Sequence, residues 1–289
     1  MSRQYDLFDK LPITDKPIRF RTPDRPIWTE NKSKLIERYL YYFVMITKHG
    51  AYIDGFAGPQ YPDKHDAWAA KLVLESKPPF LRKFWLCEQD REKLPQLYHL
   101  AAACKQKGRA ITVVPGDFNR NLDGILANGE ITEKMATFCL LDQHTFECEW
   151  VSVQKLAAHK KGNKIELFYF LATGWLERAI AGTTRNMQNI RKWWGRDDWA
   201  VLATMRSFDR ALLFADRFKE ELGYKHAHAW PIYNKEAGAK RVMYHMIHAS
   251  DHDEAPKLMS RAYRKANQPK EDLAEVQQEM FGVTTFQKI

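Results

Sequence analysis

Four carboxylates in this chain share one local setting: each follows a short apolar run and opens a turn. They are Asp54 in AYIDGFAGPQ, Glu88 in KFWLCEQD, Asp117 in VVPGDFN and Asp142 in CLLDQHTF. After Asp54 come Gly55, Phe56, Ala57 and Gly58. Glycines there let the backbone approach a ligand, and the carboxylate can accept from an ammonium or from loop amides. Glu88 is placed either to accept both hydroxyls of a ribose or to open the next helix as a solvated residue. Asp117 could accept from an adenine amino group with Phe118 against the ring; it could equally cap the following helix, and the two roles are compatible. Asp142 leads an acid, an amide, an imidazole and an aromatic ring (Gln143, His144, Phe146). That set suits a target base or amine, with Asp142 or His144 orienting the nucleophile and taking its proton. A buried polar network is the alternative reading.

The elements that must position these groups follow from periodicity. The first 28 residues, rich in Pro, Asp, Arg and Lys, show none and read as an irregular arm. A helix fits from about Thr29 to Lys48, where Leu35, Tyr39, Leu40, Phe43 and Ile46 form one apolar stripe. Short apolar runs at 51–54, 83–88, 110–115, 136–142 and 165–171 then alternate with helical patterns near 66–76, 90–106, 119–128 and 149–160. Runs this apolar, alternating with helices, predict a parallel sheet covered on both faces. Residues 226–234 and 240–250, separated by KEAGA, predict an antiparallel hairpin, followed by a helix from about Asp253 to Lys265. A helical, tryptophan-bearing insertion is expected at roughly 175–223. In doubly wound sheets ligands lie beyond the carboxyl ends of the strands, where all four carboxylates fall.

Composition narrows the partners. The 289 residues carry a net charge of +9, which leans toward a polyanion or toward a merely basic surface. The excess concentrates between Lys155 and Arg196, with nine Lys or Arg against two acids. Lys161, Lys164, Arg185, Arg191 and Lys192 are the candidates to track phosphates, and IRKWWGRDDW mixes basic and aromatic side chains as nucleic-acid surfaces do. Tryptophans packing the insertion onto the sheet account for that stretch equally well. Cys87, Cys104, Cys139 and Cys148 form no CxxC pair and read as reduced, buried thiols. His226, His228, His245, His248 and His252 gather near the hairpin at spacings that read as ordinary strand histidines, so no metal site is expected. No apolar run is long enough for a membrane span, and MSRQYDLFDK lacks a secretory signal's apolar segment, so a cytoplasmic location is the expectation.

Five parallel strands and a terminal hairpin resemble the layout of class I S-adenosylmethionine-dependent methyltransferases. More specifically, NKSKLIERYLYYF leading into YIDGFAGP, then CEQD, GDFN and LLDQHTF, resembles the three-Cys-motif partner proteins, prokaryotic and phage-associated. The resemblance runs from about Thr29 to the final helix and implies a Rossmann-like methyltransferase domain over 29–289, following the arm at 1–28. It implies Asp54, Gly55 and Gly58 around the methionine part of S-adenosylmethionine, Glu88 at its ribose and Asp117 at its adenine. It also implies a phage- or defence-linked setting and a partner protein carrying three cysteines, while a nucleic-acid substrate is the expectation of the basic charge. The sequence departs from the family pattern at Gln60, where glycine is typical, at HDAWAAK, where a small-residue Gly-Ser-Pro stretch is typical, and at DQHTF, which lacks a proline. A non-catalytic nucleic-acid- or protein-binding subunit on the same fold is therefore the alternative, and a different nucleotide or adenosine-containing ligand in the same cleft a third reading.

Overall fold

The central apolar runs become strands because they are buried on both faces, while the run at 110–115 is a partly exposed edge strand. Strands β1 (Gly50–Asp54), β4 (Thr137–Leu141) and β5 (Glu166–Leu171) are buried along their whole length, as parallel strands sandwiched between helices must be. β2 (Leu81–Glu88) and β3 (Ala110–Pro115) extend the sheet on one side, and β6 (His226–Tyr233) and β7 (Val242–Ser250) close it on the other. The computed structural model describes residues 31–61, 64–105, 108–174, 176, 180, 187–233 and 242–266. The expected arm at 1–28, the KEAGA turn and Arg185 lie outside them.

The strand order is β3-β2-β1-β4-β5-β7-β6. β1 pairs in parallel with β2 and β4, and β5 with β4, while β7 runs antiparallel to both β5 and β6. This is the seven-stranded Rossmann-like sheet with a terminal antiparallel hairpin expected from the sequence. Its switch point lies between β1 and β4, where the connections turn from one side of the sheet to the other and leave a crevice at the carboxyl ends.

Alternating residues feed two cores. Tyr52, Phe84, Phe138 and Phe168 face α1 (Lys32–Thr47), α2 (Ala69–Glu75) and the C-terminal helix Ala255–Lys265. Ile53, Trp85, Cys139 and Tyr169 face α4 (Phe118–Ala127), α5 (Trp150–Ala158) and the insertion, while α3 (Leu94–Ala103) contacts β3. The insertion contributes Met187–Trp194 and Ser207–Glu220, helical as expected. Arg217 clamps it, its guanidinium lying 3.9 Å from the Trp150 ring centroid and 4.0 Å from that of Trp194, with Glu221 accepting two of its hydrogen bonds. Cation–π contact and a bidentate carboxylate favour arginine here over lysine.

Each hairpin histidine that the structure pairs has its own partner. His248 shares the buried Glu166 carboxylate with Tyr39 and Ser250. His245 meets Thr173 Oγ1 at 2.8 Å, and burial pushes its pKa down to about 3. His226 meets Asp253 at 3.1 Å. Among the described residues no group of three or more His, Cys, Asp or Glu gathers as metal ligands, and no helix is long and apolar enough to cross a membrane.

Candidate functional site

All four strand-end carboxylates border one cleft of about 440 Å³ at the carboxyl edge of the sheet, within the range of small-molecule sites. β1 delivers Asp54 into its floor, 1% exposed. The Asp54 carboxylate accepts from Tyr52 Oη at 2.8 Å and from the Phe56 amide at 3.1 Å. Burial pushes its pKa up to about 7, an effect those two hydrogen bonds partly offset. The loop that follows is pinned on both sides, with Gly55 N–H donating to Leu140 O and Ala57 N–H to Cys87 O. Trp68 Nε1 closes the same loop by donating to Ala57 O at 2.7 Å, and Ser33 Oγ of α1 donates to Ala67 O.

Glu88, at the end of β2, accepts from the Gly58 amide at 2.8 Å and from the Asp90 amide at 2.7 Å. It is buried at the wall of the cleft, not a solvated residue opening the next helix. A Cβ at position 58 would collide with the Glu88 carboxylate and with Lys93 Cδ, so glycine is what allows this close approach of the Gly58 backbone and the Glu88 side chain. Gly116, at φ +107, turns the chain after β3 and donates to Glu88 O. Asp117 then caps α4, accepting from the Arg120 amide at 3.0 Å, while still lining the cleft. Phe118 is buried beneath Gly55 and Phe56, its ring 6.0 Å from that of Phe56. It forms the floor of the cleft.

The segment after β4 divides its labour. Asp142 and His144 line the cleft. Gln143 is buried and structural: its Nε2 donates to Phe170 O and its Oε1 accepts from the Cys148 amide. Asn119 of the GDFN run braces the same segment, accepting from the Glu149 amide and Ser152 Oγ and donating to Glu147 O. Phe146 turns away from the cleft and packs its ring 4.9 Å from Trp193. The polar network expected as an alternative is therefore present, built from buried Gln143 and partly buried Asn119, while Asp142 and His144 line the cleft.

No motif or periodicity marks Lys32 as a site residue. It stands on the first turn of α1, and its Nζ donates to Asp142 Oδ1 at 2.7 Å. Tyr244 of β7 and Trp68 line the cleft, and Lys32 reaches it through Asp142. Gln60 sits exposed at the rim, and Ala69 and Ala70 of HDAWAAK supply small side chains to the wall.

No protein-family model matches the sequence. No curated protein matches it either. Among solved structures the chain is similar to M. jannaschii TYW2, determined in complex with AdoMet, at 12% identity and a TM-score of 0.36 over 74% of this chain and 75% of that one. It is also similar to Trm1 from Pyrococcus horikoshii, determined with S-adenosyl-L-methionine, at 12% identity and a TM-score of 0.44 over 83% of this chain and 61% of that one. Likenesses this distant decide nothing about this chain's ligand or substrate.

The basic candidates separate. Lys192 shares a groove of about 360 Å³ with Asp117 and Glu147, contiguous with the cleft, and Arg191 lines the next depression along it. Both are more than half exposed and hold only surface ion pairs, with Glu149 and Asp197. Lys161 and Lys164 precede β5 and so lie at the amino edge of the sheet, away from the cleft; Lys164 is engaged with Gly223 O and Asp251. Trp193 and Trp194 of IRKWWGRDDW are fully buried and pack the insertion onto the sheet, while Trp199 is only partly buried against the same core.

Proposed function

We propose that the chain is an S-adenosylmethionine-dependent methyltransferase acting on nucleic acid. The observation that carries this reading is the convergence of Asp54, Glu88, Asp117 and Asp142 on a single cleft at the switch point of the sheet. The cleft is lined by six carboxylates (those four with Asp90 and Glu147) against Lys93 and His144. Such a wall, offset by Lys32 only at its Asp142 end, suits a cationic cofactor and repels the phosphates of a nucleotide, which argues against the nucleotide form of the third reading. The set of side chains fits the cofactor's parts, and Gly58, with no side chain, lets its backbone amide hold the Glu88 carboxylate at the cleft.

Asp54 would hold the ammonium, Glu88 the ribose hydroxyls and Asp117 the adenine amino group, with Phe56 and Phe118 as apolar floor. S-adenosylmethionine supplies an electrophilic methyl group on a sulfonium. Asp142 would accept the N–H of the acceptor, orient its lone pair and take the proton that the nitrogen loses. His144 stands at the same rim to assist. Positioning accounts for most of the expected acceleration. Arg191 and Lys192, beside the groove leading from the cleft, would contact phosphates, whereas Lys161 and Lys164, at the amino edge of the sheet, would not.

A second reading, a non-catalytic subunit of a defence-linked complex, is favoured by Gln60 at the rim and by the use of Gln143 as a structural residue. The resemblance to three-Cys-motif partner proteins supports a partner subunit under either reading. Transfer of labelled methyl groups to total RNA or genomic DNA separates the two. Incorporation that Asp142→Ala abolishes supports the enzyme; its absence with both acceptors, despite cofactor binding, supports the subunit.

A further inference from the structure

Lys32 places a cation where a methyl acceptor would meet the protein. Its Nζ lies 2.7 Å from Asp142 Oδ1, with the two side chains 5% and 11% exposed. The same ammonium sits 5.1 Å from the Phe170 ring centroid and 5.0 Å from that of Tyr244, which hold it beside the carboxylate. Among the described residues Lys32 is the only hydrogen-bond partner of the Asp142 carboxylate, whose other oxygen is left for the cleft. The acceptor end of the cleft is thus an ion pair between aromatic faces, and not a bare carboxylate.

We propose that Lys32 selects the charge of the methyl acceptor, admitting the neutral N–H of a flat nitrogen heterocycle and rejecting a protonated alkylamine. The inference rests on the cofactor reading above. A neutral N–H needs only an acceptor oxygen, which Asp142 keeps open. An ammonium, such as a lysine side chain or a polyamine, would also meet the Lys32 charge in a site shielded from water, where like charges repel strongly. Lys32 is therefore a specificity-determining residue, acting through Asp142.

Sinefungin carries an ammonium in place of the sulfonium methyl, and S-adenosylhomocysteine carries nothing there. The ratio of their dissociation constants reads the charge at this end of the cleft without an acceptor or turnover. Calorimetry on the full wild-type chain is expected to give constants within about threefold of each other, because the pair is neutral. Lys32→Met should bind sinefungin about tenfold more tightly relative to S-adenosylhomocysteine, and the double variant K32M/D142N should return to the wild-type ratio. Asp142→Asn, which leaves Lys32 unbalanced, should weaken sinefungin about tenfold relative to S-adenosylhomocysteine, and decides the matter alone should Lys32→Met fail to fold. A ratio unmoved by Asp142→Asn, or by a folded Lys32→Met, overturns the proposal, as does a wild-type preference for sinefungin of about tenfold or more. Absence of S-adenosylhomocysteine binding in the wild type instead overturns the cofactor reading, and is distinguished by the missing heat itself.

Discussion

The Gly58 amide donates to Glu88 Oε2 at 2.8 Å, and the contact exists because position 58 has no side chain. One hydrogen bond thereby joins the first loop to the second strand end and fixes both at the cleft. Gly58→Ala should push the carboxylate aside, costing about 1–3 kcal/mol of stability as an overpacked site does. Affinity for S-adenosylmethionine should fall at least about tenfold, since the displaced Glu88 is the expected ribose ligand. Thermal melts and calorimetry on the variant check both.

Asp54 makes binding and stability depend on pH in opposite senses. Its carboxyl is pushed up to about 7 in the folded chain from an ordinary value near 3.8. Between those values the folded state holds a proton that the unfolded state releases, so stability falls as pH rises through that window, by at most about 1.4 kcal/mol per unit. A ligand ammonium prefers the ionised carboxylate, so cofactor affinity should instead rise up to about tenfold per unit as pH climbs toward 7. Urea melts and calorimetry across this range should show both slopes in the wild type and neither in Asp54→Asn.

Asn119 predicts a loss of catalysis greater than its loss of binding. Its amide ties α4 to Glu147, Glu149 and Ser152, and so braces the segment that carries Asp142 and His144. Asn119→Ala should destabilise by about 1–3 kcal/mol, the range for leaving buried partners unsatisfied. Asn119 Nδ2 also donates to Asp117 Oδ2 at 3.3 Å, so S-adenosylmethionine affinity should fall slightly. Methyl transfer should drop more, because Asp54 and Glu88, the proposed ligands of the cofactor's ammonium and ribose, are untouched. Equal losses in the two measurements would mean that the brace acts on the whole cleft.

The sheet was legible because its central strands are buried on both faces and read as unbroken apolar runs flanked by glycine and acid. Asp54, Glu88, Asp117 and Asp142 were legible for the same reason: a charge at the end of such a run marks where the strand leaves the core. Lys32 left no such mark. It lies in the polar first turn of a helix, 110 residues from Asp142, and only the folded chain brings them together. Tyr244 and Trp68 were hidden likewise, because a cleft wall has no sequence period. The charge run at 155–196 read as one feature because its residues are neighbours in sequence. A crossing strand, β5, sends Lys161 and Lys164 to one edge of the sheet and Arg191 and Lys192 toward the other.

That separation predicts unequal effects on nucleic-acid binding. Arg191→Gln and Lys192→Gln together should weaken RNA binding several-fold and lower the slope of log affinity against log salt by about one per charge removed. Lys161→Gln and Lys164→Gln should change neither, because they lie at the amino edge. Fluorescence anisotropy with a labelled single-stranded RNA across a salt series measures both.

The central claim is that this cleft holds S-adenosylmethionine through the strand-end carboxylates. Isothermal calorimetry of the full chain with S-adenosylmethionine tests it most directly. The predicted result is one-to-one binding at about micromolar affinity, the strength expected of a formed small-molecule site, and its loss in Glu88→Ala. No binding up to about millimolar ligand, or binding that Glu88→Ala and Asp54→Ala both leave unchanged, would contradict it.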